Sequence, residues 1–438
     1  MAIDGNGSFS RWTADVEDRV PSIVARAAPR PQSRPPMLIV LTTHPIQYQV
    51  PLWQALAADG RIPFEVWFMS DHGVRESLDR EFGKTFAWDL DLLSGYPSRF
   101  LAGATGAAPS GFWNCRLRER LRDRLAASGA SALWIQGWQV AAYWQAVREA
   151  KASSIPVWLR GESNALAPIS WWKRPMKRLQ LGWLFRRIAQ FLYIGTANRS
   201  LYRSYGVPES QLHSTPYAVD NDRFARQASA LRAQRAELRR RWAIPEEAFC
   251  VLFCGKFVSK KRPMDLVDAA RRWNADRSLP EIHLLFVGSG ELGNSLRAAC
   301  HVRFDAGEER RPGDLHSPAF PSASFAGFLN QTEVSQAYVA ADCLALPSDY
   351  SETWGLVVNE AMASGLPCVV SDRCGCTQDL MRDLNRIFRF RCSNVGELLA
   401  ALEGVLRQPP TPLEISEAVA GHHFRITIET LAKLSKPL

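Results

Sequence analysis

LPSDYSETWGLVVNEAMASGLPCVVSD, residues 346–372, reads as a strand end, a loop, a helix and a second strand in direct succession. The apolar run DCLALPS (342–348) stops at Pro347, and a polar loop then carries Glu352 and Gly355. The helical stretch that follows carries Glu360, and Pro367 opens the next apolar run, PCVVSD (367–372). Short apolar runs that end in small or turn residues and lead into helices are the signature of an α/β chain.

The same pattern extends outward in both directions. FCVLFCG (249–255), IHLLFVG (282–288) and SFAGF (324–328) precede it. An earlier series comprises MLIVLTT (37–43), IPFEVWFMS (62–70), SALWIQ (131–136), IPVWLRG (155–161) and FLYIGT (191–196). Continuous apolar runs of this length suit parallel strands covered on both faces. A charged helical stretch near 226–242 separates the two series, and no sequence repeat links them. The expected fold is therefore α/β, with two facing Rossmann-like domains at 37–220 and 221–415. Residues 416–438 are expected to be helical and to pack back on the first domain. The polar, proline-rich residues 1–36 read as a disordered tail. Residues 303–322 read as a surface loop inserted between two units. Doubly wound sheets bind ligands beyond the carboxyl ends of their strands, so the active site is expected in the cleft between domains.

Composition narrows the function classes. At 438 residues and 46% hydrophobic content the chain can bury two cores. It contains no run of eighteen apolar residues and no apolar leader with a cleavage site, which points to a cytoplasmic protein. The nine cysteines are odd in number, and several sit in apolar runs, so a disulfide framework is not expected. Cys374 and Cys376 form a C-x-C pair without a second pair, a poor zinc signal. The net charge of +9 is concentrated between residues 163 and 208, where eight Lys or Arg occur without an acid. An anionic partner is expected there.

Three loops carry candidate chemistry. In 346–372 the backbone amides of Thr353, Trp354, Gly355 and Leu356 stand at a helix start, where dipole and unpaired donors favour a phosphate. Glu360 can accept hydrogen bonds from sugar hydroxyls; the bland alternative is that Glu352 and Glu360 are solvated helix-surface residues. In FCGKFVSKKRPMDLVDAA (253–270), Lys256 and Lys261 follow Gly255 and bracket a loop, where two ammonium groups can neutralise a diphosphate. Loop lysines are otherwise ordinary solvated residues. GSGEL (288–292) supplies a glycine turn at Gly288.

The segment around Glu352 and Glu360 resembles the E-x7-E signature of the retaining glycosyltransferases of family 4, which have the two-Rossmann GT-B architecture. The resemblance runs from about residue 37 to the C-terminus and is strongest over 249–372. It implies that Glu360 holds the ribose of a donor nucleotide and that Glu352 lies beside the donor sugar and diphosphate. Lys256 and Lys261 match the family's basic pair, with Lys256 where Arg is common, which forgoes bidentate contact. AGFLNQTEV (326–334) resembles the segment that contacts the nucleobase, making Gly327, Phe328 and Leu329 candidates. YAVDNDRF (217–224) resembles the passage into the donor domain. Many members carry a histidine after a later strand of the first domain. Here VWLRGESN (157–164) has none, and Glu162 becomes the candidate catalytic residue in that region.

THPIQYQVPLW (43–53) follows the first strand and would line the cleft, where His44 and Gln47 could meet the acceptor or the donor sugar and are assigned to the acceptor side; a structural histidine beside a proline is the alternative. SWWKRPMKRLQLGWLFRRIAQFL (170–192) places Trp172, Met176, Leu179 and Trp183 on one side of a helix and Lys173, Arg174, Lys177 and Arg178 largely opposite. That design suits a helix resting on an anionic membrane surface. A core-packed helix with a solvated charged face has the same pattern. No nucleic-acid-binding motif accompanies the charge, so nucleic acid is not an expected partner. The resemblance implies transfer of a glycosyl group, with retention, from a nucleoside-diphosphate sugar to a glycan or lipid-linked hydroxyl. No D-x-D motif is placed for a metal, and no cofactor is expected, since two lysines and a helix N-terminus can supply the positive field. A nucleotide-sugar epimerase or hydrolase on the same fold, or a non-catalytic binding protein, are the alternatives.

Overall fold

The computed structural model describes residues 36–74, 77–79, 84–86, 89–103, 111–168, 170–307, 320–382 and 388–436. All but residue 36 of the expected tail (1–36), and residues 308–319 of the expected insertion (303–322), lie outside them. The strands are β1 Met37–Thr42, β2 Phe64–Phe68, β3 Ser77–Asp79, β4 Lys84–Phe86, β5 Ser98–Phe100, β6 Ala130–Ile135, β7 Val157–Leu159, β8 Gln190–Tyr193 and β9 Leu212–Ser214 in the first half. The second half contributes β10 Phe249–Cys254, β11 Ile282–Val287, β12 His301–Asp305, β13 Ser322–Gly327, β14 Cys343–Leu346, β15 Cys368–Ser371 and β16 Arg389–Phe390.

Two seven-stranded parallel sheets result, in the orders β5-β2-β1-β6-β7-β8-β9 and β12-β13-β11-β10-β14-β15-β16. The strands β3 and β4 pair antiparallel as a separate hairpin. The inner strands are buried nearly throughout, as strands covered by helices on both faces must be. In each sheet the first strand lies between neighbours reached by connections running in opposite directions, β1 between β2 and β6 and β10 between β11 and β14. A crevice opens at such a switch point. The expected loop 303–322 is corrected at both ends: His301–Asp305 is an edge strand of the second sheet, and β13 begins at Ser322.

The charged stretch between the halves folds as two helices, Asn221–Leu231 and Arg235–Arg241, joined by one tight turn. Asp220 caps the first by accepting from the Arg223 amide at 2.9 Å. Phe224, Ala228 and Leu238 enter the core of the second domain. Near the C-terminus a capping box between Thr411 and Glu414 starts the helix Pro412–Ala420, which lies against Leu356–Ala363 in the second domain. The last helix, Phe424–Leu434, then crosses to the first domain. Its Phe424, Ile428 and Leu431 pack with Val50, Leu52 and Trp53, and Thr430 donates to the Ser214 carbonyl at 2.8 Å.

The helix Arg174–Phe185 buries only Leu181, Leu184 and Phe185. Trp172, Met176 and Leu179 are 60%, 63% and 77% exposed, so the core-packed alternative fails for this stripe. The same helix contains Trp183, which is half-buried and stacks on Trp144 with ring centroids 5.7 Å apart.

Candidate active site

The first half of the site lies at the carboxyl ends of β1, β6 and β7. Thr42, Thr43, His44, Tyr48, Gln49, Gln136, Trp138, Tyr143 and Glu162 line a cavity of about 370 Å³, and Thr353 of the second domain closes it. His44 is hydrogen-bonded to the Thr43 hydroxyl (2.9 Å), and its ring meets His72 edge-on at 5.3 Å. Burial, aided by neighbouring His72, lowers the His44 pKa to about 4, so the imidazole is neutral at physiological pH. Glu162 accepts a hydrogen bond from the Tyr217 hydroxyl. Burial, and then the Glu162 carboxylate, push the phenols of Tyr48 and Tyr217 far above their usual range, so both remain protonated. Arg160 lies beneath this wall, 3% exposed, with its guanidinium 4.8 Å from the Tyr217 ring centroid.

Gln47 is half-buried but does not line the cavity, whereas Gln49 and Gln136 do. Gln49 Oε1 and Gln136 Nε2 are buried without a partner among the described residues. Sequence reading missed both; the two-residue offset from Gln47 is set by the turn at 46–49, where the Gln49 amide donates to the Ile46 carbonyl.

The second half forms at the switch point of the other sheet. After β10, Gly255 leads to Lys256, which is half-buried, and a tight turn at Ser259–Lys261 brings Lys261 back toward Glu352. The Asp349 amide donates to the Lys260 carbonyl at 2.9 Å and joins the two loops. Lys261 is ion-paired with Glu352, their side chains 20% and 14% exposed. Lys261 is therefore not the solvated loop residue that its sequence context suggested. Burial works against its ammonium, but the charge and hydrogen bond of Glu352 outweigh this and raise its pKa. The turn at Gly288 leaves no room for a side chain: its φ is +127°, and a Cβ would sit 2.1 Å from the Gly255 carbonyl oxygen. The Gly288 amide donates to the Gly327 carbonyl (2.7 Å), so Gly255, Gly288 and Gly327 interlock at the strand ends. Phe328 and Leu329 follow, both half-buried.

Helix Leu356–Ala363 begins after Gly355 at φ 102°, where a Cβ would lie 3.7 Å from the Glu352 side chain. Of the four residues read at this helix start, the Trp354 ring is turned inward. It is 3% exposed, stacks on Tyr217 at 6.0 Å and donates to Asn359 Oδ1 at 2.8 Å. Only its backbone is available to a ligand. A Cβ on Gly195 would fall 2.3 Å from this ring, so the two domains approach each other closely there. The Thr353 carbonyl accepts from Asn164 (3.0 Å), and Asp379 accepts from the Thr196 hydroxyl (2.7 Å) and amide (3.0 Å), further pinning the domains.

Glu360 is half-buried and accepts from the Tyr338 hydroxyl at 2.6 Å. Burial raises its pKa, against the Tyr338 hydrogen bond and the nearby Arg223 charge. Arg223 itself donates to the carbonyl and the side chain of Gln331 (2.9 and 2.8 Å). Gln331 and Tyr338 lie in one loop and the helix it opens, Arg223 comes from the distant helix Asn221–Leu231, and no spacing in the chain joins them to Glu360. Cys374 and Cys376 are buried thiols in the loop beside Thr353, with pKa values pushed up by burial, and behave as small packing residues.

With this geometry in place, comparison with known proteins gives a consistent result. Residues 234–421 match the family model described as Glycosyl transferases group 1. A D-inositol 3-phosphate glycosyltransferase of Xylanimonas cellulosilytica is 30% identical over 189 residues, 43% of this chain and 41% of that protein. The sulfoquinovosyl transferase SQD2 of Arabidopsis thaliana is 27% identical over 279 residues, 61% of this chain and 48% of that protein. The chain thus spans less than half the length of these curated relatives. Among solved structures, HepE of Anabaena in complex with UDP and glucose superposes with a TM-score of 0.60 at 15% identity, over 91% of this chain and 99% of that one. An α,α-trehalose 6-phosphate synthase of Burkholderia multivorans gives 0.61 at 14% identity, over 92% and 96%. The architecture is the GT-B fold, and its second domain matches the group 1 glycosyltransferases.

Proposed function

We propose that the protein transfers a glycosyl group from a nucleoside-diphosphate sugar to a hydroxyl acceptor with retention of anomeric configuration, as in the retaining family 4 enzymes it resembles. The observation that carries this reading is the Lys261–Glu352 ion pair, held at the switch point of the second sheet one residue from Thr353, which closes the cavity of the first domain. Lys256, Lys261 and the N-terminal turn of helix Leu356–Ala363 receive the diphosphate, and the two ammonium groups offset the charge that grows on it as the glycosidic bond breaks. The proposed transfer needs no metal cofactor, because this field is built from the chain itself. Glu360, held by Tyr338, takes the ribose; Gly327, Phe328 and Leu329 flank the base. The donor sugar then points past Thr353 toward Glu162 and His44, and the acceptor enters beside Gln49 and Gln136.

In this mechanism the leaving diphosphate accepts the acceptor's proton on the same face, and Glu162 stabilises positive charge developing on the sugar. Neutral His44 serves as a hydrogen-bonding partner, since it holds no proton to spare above about pH 4. The acceptor class we favour is a glycan or a lipid-linked sugar, with the basic helix Arg174–Phe185 resting on an anionic membrane in the cytoplasm. Among the described residues no helix is long and apolar enough to cross one. A panel of nucleotide sugars, read first by thermal stabilisation, identifies the donor. Proton NMR of the reaction then compares the anomeric coupling in donor and product. A glycosylated acceptor of unchanged configuration is expected. An inverted product removes the retaining assignment, an altered donor identifies an epimerase, free sugar a hydrolase, and an untouched donor a binding protein.

A further inference from the structure

Outside the cleft, the first domain exposes a second feature that the transfer reaction does not use. The outer face of helix Ala141–Ala152 bears a cavity of about 520 Å³ walled by Phe112, Trp113, Trp144 and Trp183. Trp113 is 65% exposed and Phe112 36%, their rings meeting edge-on at 4.7 Å. Isolated exposed aromatics need no explanation, but a contiguous group marks an interaction site. This group is also continuous with the helix Arg174–Phe185, because Leu179 and Met176 lie one and two turns from Trp183 on the same side. Sequence neighbours alone do not produce the cavity: residues 112–113, 144 and 183 come from three segments.

Beside it, and sharing Gln145 and Arg148 with it, is a depression of about 350 Å³ lined by Arg120, Arg122 and Arg148. The carboxylate there, Glu149, already accepts from the Arg122 amide at 2.9 Å. An apolar trough thus opens directly onto a cluster of guanidinium groups.

We propose that this composite surface binds an anionic phospholipid, with an acyl chain along Trp113, Trp144 and Trp183 and the phosphate on Arg120, Arg122 and Arg148. Arginine forks match phosphate oxygens. Aromatic side chains with one apolar and one wet side suit the depth of the headgroups. A glycan platform would also use aromatic faces, but it would need hydrogen-bonding amides and carboxylates at the rim. Here the rim amide Gln145 and carboxylate Glu149 already accept from the backbone amides of Leu117 and Arg122 (both 2.9 Å), the remaining rim is cationic, and the adjoining stripe of Met176 and Leu179 cannot hydrogen-bond at all. The Trp144 indole N–H donates to the Trp138 carbonyl at 2.9 Å, and Trp138 lines the cleft. A lipid seated on this face therefore lies one side chain away from the active-site wall. The proposal does not depend on the glycosyl-transfer reading, and its test uses no nucleotide sugar.

The probe is dihexanoyl phosphatidylglycerol below its micelle concentration, with dihexanoyl phosphatidylcholine as the zwitterionic control, titrated against tryptophan fluorescence of the full chain. Vesicles of phosphatidylcholine and phosphatidylglycerol (about 3:1) are run in parallel by sedimentation. Each basic residue near an anionic surface is worth about fivefold in affinity. Arg148→Glu and Trp113→Ser are each expected to weaken the monomeric anionic probe at least about tenfold while leaving far-UV circular dichroism unchanged. Lys177→Glu/Arg178→Glu should weaken vesicle binding but not the monomer. Failure of the monomeric probe to bind, equal affinity for both headgroups, or unaltered affinity in both site variants overturns the proposal. Quenching of the same tryptophans by a neutral oligosaccharide but not by the phospholipid overturns it in favour of a glycan platform.

Discussion

Replacing Lys261 with alanine tests both the architecture of the site and its chemistry. The Lys261 and Glu352 side chains are 20% and 14% exposed, so removing the ammonium strands a carboxylate that is mostly shielded from water. Breaking a fully buried pair costs about 3–5 kcal/mol, and an exposed one is worth about 0–1 kcal/mol. For this intermediate case the expected loss of stability is about 2 kcal/mol. An ordinary solvated loop lysine, the alternative its sequence context left open, would cost almost nothing. The stability that Lys261 contributes is complete below its ordinary pKa of 10.5 and is lost as pH rises through its raised value in the folded protein, so pH 7 lies on the plateau. Urea unfolding at pH 7 of Lys261→Ala, Glu352→Ala and the double variant should give a coupling energy near 2 kcal/mol. Loss of one preorganised contact to the diphosphate should independently lower kcat/KM by at least ~2 kcal/mol, about 30-fold, under donor-limiting conditions. A coupling below about 0.5 kcal/mol would refute the buried pair. A destabilised variant with near-normal kcat/KM would leave Lys261 a structural residue only.

Glu360→Gln keeps the shape but removes the charge beside Tyr338, and should weaken nucleoside-diphosphate binding by about 1–3 kcal/mol; unchanged affinity by calorimetry removes Glu360 from the nucleotide site. Gly288→Ala drives a Cβ against the Gly255 carbonyl from a backbone at φ +127°, and should lower stability by about 2–4 kcal/mol, checked by thermal unfolding. His44 stays neutral in the folded chain down to about pH 4 but protonates below about 6.5 when unfolded. Protons therefore bind preferentially to the unfolded state in that window, and stability falls as pH drops through it. A His44→Gln variant should lose less stability over the same range, whereas a parallel Tm profile would refute the depressed pKa.

Much of this fold is written in local sequence. Runs such as MLIVLTT, FCVLFCG and IHLLFVG occupy inner strands, whose burial on both faces demands an unbroken apolar stretch that neighbouring residues display by themselves. The strands that escaped notice are β5, β9, β12 and β16 at the four sheet edges and the β3–β4 hairpin. An edge strand is short and covered on fewer sides, so it needs no such run. Lys256, Lys261, Glu352 and Glu360 could be picked out as candidates because each group lies within one loop and the helix it opens. Tyr338, Arg223 and Gln331 around Glu360, and Gln49 and Gln136 in the cavity, could not, since their neighbourhood depends on contacts between distant segments. The helix Arg174–Phe185 shows the division most clearly. Its 3.6-residue periodicity established an apolar stripe, but the identical stripe would serve a core or a surface. Only the packing of Leu181, Leu184 and Phe185 against the domain, which turns Trp172, Met176 and Leu179 outward, decided between them. Periodicity is a property of adjacent residues, whereas burial is set by whichever remote segment arrives to cover them.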